Sequence, residues 1–117
     1  MKAATKQRRA KNGRPNKAIL ANVIRRVVEA ARPEKIILFG SAARGEMGPD
    51  SDLDLLVIKG GKFNHWRVLT TICRHLRDTE AAVDVVLVTP EEVERYGDSP
   101  YLVLYPALRE GKVVYGA

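Results

Sequence analysis

A single mixed α/β (α+β) domain, with helices packed on a small sheet, is the fold class the sequence predicts. Two segments repeat apolar residues at the three-and-four spacing of a helical face, and three short runs of β-branched and aliphatic residues stop beside glycine or proline. The length, 117 residues, suits one domain of common size and is too short for two.

The first helix is expected over about 16–31, where Ile19, Leu20, Val23, Ile24, Val27 and Val28 share one face and Pro33 closes the segment. Ile36 to Phe39 reads as a buried strand ending at Gly40, followed by a short helical turn. Met47, Gly48, Pro49, Asp50 and Ser51 return the chain to a second strand over 52–58, which alternates and then becomes wholly apolar before Gly60 and Gly61. A second amphipathic helix is expected from Asn64 to about Arg77, through Trp66, Leu69, Ile72, Cys73 and Leu76. Ala82 to Val88 forms the third strand, interrupted only by Asp84. Thr89, Pro90 and Glu92 then spell a helix start. A further helix is expected over 99–110, kinked or restarted at Pro106 and stopped by Gly111, with a last short strand over 113–115.

The formal charge is +6, which alone suggests a nucleic-acid-binding protein. Its placement narrows that. Lys2, Lys6, Arg8, Arg9, Lys11, Arg14 and Lys17 fall within the first 18 residues, which hold no acid, while the remaining chain carries 13 basic and 14 acidic side chains. The expected organisation is a flexible basic tail over 1–15, able to contact nucleic acid, and a near-neutral domain over 16–117. The lone Cys73 excludes an internal disulfide. No membrane span or secretory leader is visible, the basic start has no apolar face of the transit-peptide kind, and a cytoplasmic location is expected.

The residues that carry chemistry are acidic. In Asp52-Leu53-Asp54 both carboxylates project from one face of a strand, and Asp84 stands mid-strand, where a buried carboxylate requires a partner or a cation. If the second and third strands are neighbours, the three form a hard-oxygen set suited to Mg²⁺ or Mn²⁺. Upstream, Gly40 allows close backbone approach to an anion, Ser41 offers a hydroxyl, and exposed amides at a helix start favour phosphate. Ten residues separate Ser41 from Asp52.

That pattern, Gly40-Ser41, ten residues, Asp52-Leu53-Asp54, set between Ile37-Leu38-Phe39 and Leu55-Leu56-Val57, resembles the signature of the nucleotidyltransferase superfamily that includes DNA polymerase beta. Within it the chain is most similar to the minimal nucleotidyltransferases, over roughly residues 18 to 115. The resemblance implies that fold. It also implies two Mg²⁺ ions held by Asp52 and Asp54, with Asp84 completing the site, and Gly40 and Ser41 cradling the phosphates of ATP or another nucleoside triphosphate. The implied reaction is attack of an acceptor hydroxyl on the α-phosphate, releasing pyrophosphate. Arg44 either reaches the triphosphate or is an exposed structural residue.

Larger members add a helical acceptor-binding domain, so the resemblance implies a helical HEPN partner, in a toxin–antitoxin pair, or a homodimer. A non-catalytic binding module with a nucleic-acid-binding tail is the competing expectation. His65 and His75 lack metal-pair spacing and are expected at the surface. Cys73 is expected in the core, and Trp66, Tyr101 and Tyr105 as packing residues.

Overall fold

The computed structural model describes residues 10–11, 13–48, 51–99 and 104–116. Helix α1 (Lys17–Ala31) starts where the Asn16 side chain accepts from the Ala18 and Ile19 amides, at 2.9 and 3.1 Å. It stops at Arg32, which adopts a left-handed φ of 47° ahead of Pro33. Strand β3 (Lys35–Phe39) leads directly into the short helix α2 (Gly40–Arg44), and β4 (Leu53–Ile58) follows. Helix α3 (His65–His75) is capped by Asn64, whose side chain accepts from the Arg67 amide at 2.9 Å. Strand β5 (Val83–Val88) precedes α4 (Pro90–Tyr96), whose capping box pairs Thr89 with Glu92. Helix α5 (Leu104–Glu110) and β6 (Lys112–Tyr115) end the fold.

Four strands form one sheet in the order β5-β4-β3-β6, with β4 and β5 parallel and the other neighbours antiparallel. Both faces are covered. On one, Ile36, Leu38, Leu53, Leu55, Val57 and Leu87 pack with α1 through Val23, Val27 and Ala31, and with α3 through Ile72. On the other, Ile37, Phe39, Leu56, Ile58 and Val88 pack with Leu104 and Ala107 of α5. Coverage on both faces explains why interior strand β4 turns wholly apolar after Asp54.

Several expectations shift. The last helix is described from Leu104, Ser99 is not helical, and residues 100–103 lie outside the described set. Pro106 sits in the first turn of α5, where its missing N–H would have had no intrahelical acceptor. Cys73 is exposed: Ile72 takes the fully buried position, and Cys73 lies about 100° further round the helix. Trp66 is 74% exposed, since the adjacent His65 turns towards β5, where its Nε2 meets the Leu87 carbonyl at 2.9 Å. His75 is exposed, as expected. Tyr105 lies under the Arg109 guanidinium, 4.8 Å from its ring centre, and Tyr101 lies outside the described residues.

Residues within the expected flexible tail are also structured. Ala10–Lys11 (β1) pairs antiparallel with Arg14–Pro15 (β2), and the Gly13 carbonyl accepts from the Met47 amide at 2.8 Å. The dipeptide Asn12-Gly13 carries the hairpin signal that a reading based on charge alone passes over.

Candidate active site

At the end of β3 the chain turns at Gly40 with φ +73°, a left-handed conformation that suits glycine. A Cβ added there would overlap Asp54 Oδ2 and lie 3.1 Å from Asp54 Cγ. The turn therefore rests directly on a carboxylate. Ala42 and Ala43, small and buried, let α2 settle against the sheet. Ser41 is half-buried on the same turn, and its carbonyl accepts from the Glu46 amide at 2.9 Å.

Strand pairing decides where the aspartates go. Asp54 is paired with Phe39 on β3 and, on its other side, with Asp84 on β5. Leu53 and Leu55 point into the core beneath α1 and α3, so Asp54 emerges on the opposite face, where it is half-buried. Directly paired residues share a face, which puts the Asp84 carboxylate beside that of Asp54. Asp52 is exposed just ahead of β4. Asp84 is also exposed, so the expectation of a buried carboxylate on β5 is corrected. Strand β5 is an edge strand, and its first residues are only partly covered.

Electrostatics single out Asp54. Partial burial, followed by the negative charges of Asp84 and then Asp52, raises its pKa above the ordinary 3.8, against a smaller opposing pull from Arg44. Arg44 itself is engaged: its Nε lies 2.7 Å from Glu46 Oε1, and Nη1 lies 3.8 Å from Glu110 Oε1. The Glu46 hydrogen bond is the main reason its pKa is raised. Contact between Arg44 and a triphosphate would require release from Glu46.

Among the described residues, no three carboxylate, imidazole or thiolate side chains converge into a finished metal cage. The donor chemistry nevertheless fits a hard divalent cation. Asp54 carries repulsion from two other carboxylates that such an ion would relieve, and all the donors are oxygen. Gly40, Ser41, Asp54 and Asp84 thus meet at one open end of the sheet, with Asp52 within electrostatic range. Residues 49 and 50, in the turn between α2 and β4, lie outside the described residues.

The nucleotidyltransferase domain family matches residues 20–113. No curated protein sequence matches significantly. Among solved structures, a candidate nucleotidyltransferase from Sulfolobus solfataricus superposes with a TM-score of 0.60 at 18% identity, over 99% of this chain and 88% of that one. A toxin–antitoxin assembly with AMP-PNP gives 0.50 at 24% identity, covering 82% of this chain and 73% of that one. A tri-AMPylated HEPN toxin from Shewanella oneidensis in complex with MNT antitoxin gives 0.48 at 20%, covering 85% and 73%. The first two likenesses agree with the observed fold. Among the described residues no helix is long and apolar enough to cross a membrane.

Proposed function

This chain belongs to the nucleotidyltransferase domain family, and from that premise we propose that it moves a nucleoside monophosphate, AMP from ATP, onto an acceptor hydroxyl. The observation that carries the reading is the pairing of Asp54 with Asp84 beneath a glycine turn pressed against Asp54. An exposed pair of like charges costs stability in a resting protein and is useful where cationic or phosphoryl charge must be held.

Asp52 and Asp54 would hold Mg²⁺, with Asp84 as the further oxygen ligand; Mn²⁺ suits the same donors. When bound, the cations neutralise triphosphate charge and lower the pKa of the acceptor hydroxyl. Gly40 lets the backbone approach the phosphates without a side chain intervening, and Ser41 donates its hydroxyl to them. Asp84, the most open of the paired carboxylates, accepts the acceptor's proton as its oxygen attacks the α-phosphorus and pyrophosphate departs. Asp54, held between strands and turn, orients the site.

The acceptor is brought by another chain. The likeness to a toxin–antitoxin assembly containing AMP-PNP supports an antitoxin role, as does the sequence resemblance to minimal nucleotidyltransferases. The partner in that reading is a helical HEPN protein, with homodimerisation as the other way to complete the site. The test is incubation with α-labelled ATP, Mg²⁺ and a co-purified helical partner. Label should move to the partner with the wild-type chain and fall at least ~100-fold with Asp54→Asn. Equal labelling by the two would refute the assignment.

A further inference from the structure

The free edge of β5 is open beside Asp84 and closed further along. The amides of Leu53 and Lys59 donate to the carbonyls of Ala82 and Val88, both at 2.9 Å, so the even-numbered carbonyls of this strand face β4. By the two-residue period of a strand, the backbone groups of Val83, Val85 and Leu87 face outwards. The Leu87 carbonyl is taken by His65 Nε2 at 2.9 Å. Those of Val83 and Val85 have no hydrogen-bond partner among the described residues. Alongside runs a groove of about 320 Å³ walled by Leu69, Cys73, Leu76, Val83 and Val85, and Asp84 also lines it.

We propose that this edge takes an extended polypeptide as an added strand, and that the residue paired opposite Asp84 carries the hydroxyl to be nucleotidylated. The inference rests on the transfer reading above and names the form of its acceptor. Unpaired amide and carbonyl groups beside an apolar wall complement another peptide backbone. A nucleic acid would need cations against its phosphates, and the groove lining has no Lys or Arg.

Strand addition fixes the pattern to be recognised. A residue opposite Asp84 emerges on the face of Asp84 and Asp54, with its Cβ roughly 4.5–5.5 Å from that of Asp84. Its two neighbours emerge on the other face, over Val83, Val85, Leu69 and Leu76. The preferred acceptor is therefore Ser, Thr or Tyr with apolar residues immediately before and after. In the reaction the side-chain oxygen bonds to the α-phosphorus of the nucleoside triphosphate. The bond from that phosphorus to the bridging oxygen breaks, and pyrophosphate leaves with the electron pair. The hydroxyl proton passes to the Asp84 carboxylate and then to water.

The full chain is titrated with three fluorescein-labelled synthetic peptides: one with a single tyrosine between valines and lysines at its ends, a shuffled peptide with the valines moved away from the tyrosine, and the first peptide N-methylated at the two flanking amides. Anisotropy without nucleotide measures docking, and α-labelled ATP with Mg²⁺ measures transfer. The first peptide should bind about tenfold or more tightly than the other two. Cys73→Arg, which places a charge on the groove wall from an exposed position, should weaken it by a similar factor with an unchanged melting temperature. Equal binding of the three peptides, or unchanged affinity in Cys73→Arg, overturns the added strand. Patterned binding without label transfer upholds the added strand and overturns the transfer reading; label transfer indifferent to pattern does the reverse.

Discussion

Gly40→Ala and Gly45→Ala form a matched pair that separates backbone strain from site geometry. Both glycines adopt left-handed conformations, φ +73° and +72°, so alanine costs each about 1–2 kcal/mol. Their surroundings differ. A Cβ at Gly45 has nothing within 4 Å, whereas one at Gly40 overlaps Asp54 Oδ2. The obstacle is the free end of a side chain, which can retreat by about 1 Å, so the extra loss of stability is small. A displacement of that size at a reacting centre costs on the order of 100-fold in rate. Thermal melts should show similar losses for both variants, while label transfer from ATP should fall about 100-fold in Gly40→Ala alone. Mg²⁺ affinity, read as the thermal shift on titration, should weaken in Gly40→Ala and hold in Gly45→Ala. Wild-type transfer by Gly40→Ala, or equal losses of transfer in the two variants, would refute the claim that the turn positions Asp54.

Asp54→Asn should leave the metal-free protein as stable as wild type or more so, by up to about 1 kcal/mol near neutral pH, because the carboxylate is half-exposed and screened. Its folded pKa lies above 3.8, so the charge penalty on wild type is absent below that value and develops as pH rises through the folded pKa; melts from pH 3 to 8 without metal should converge at the acid end and separate towards neutral pH, with wild type the less stable. Saturating Mg²⁺, at about 100 times its Kd, should add roughly 2.7 kcal/mol to wild type and much less to Asp54→Asn, as read by denaturant titration. Deleting residues 1–9 should flatten any steep salt dependence of nucleic-acid binding without changing peptide labelling, and unchanged salt dependence would place the basic contact elsewhere. Leu56→Ala, fully buried beneath α5, should cost about 2–5 kcal/mol, measured by urea unfolding.

Periodicity was enough to place most of the elements, because the helices are amphipathic and the interior strands lie between two apolar layers. Asn16, Asn64 and Thr89 act as caps within a residue or two of the boundaries that pattern predicts. The Gly-Ser and Asp-x-Asp spacing was legible for a different reason: a turn and a strand start are local, and their separation along the chain fixes where they meet. The environment of Asp84 was not legible. Whether a mid-strand carboxylate is buried depends on which strand forms the sheet edge, a long-range property that no window of sequence contains. Cys73 and Trp66 misled for a related reason, since an apolar residue on a helical stripe is buried only as far as the neighbouring layer extends. The ion pair of Arg44 with Glu46 joins residues only two apart, yet it depends on the bend at Gly45.

Strand β4 ties manufacturing accuracy to chemistry. Leu53 and Leu55 anchor one side while Asp54 serves the other, so slippage by a single residue would drive a carboxylate under α1 and α3 and bring leucines to the mouth of the site. Such an isomer would pay to bury charge and expose aliphatic surface, and it would disperse the aspartates in the same movement. A chain mispaired at β4 is thus selected against twice, by its solubility and by its silence as an enzyme. Single-residue insertions should be tolerated far better between α2 and β4 than anywhere from 53 to 58.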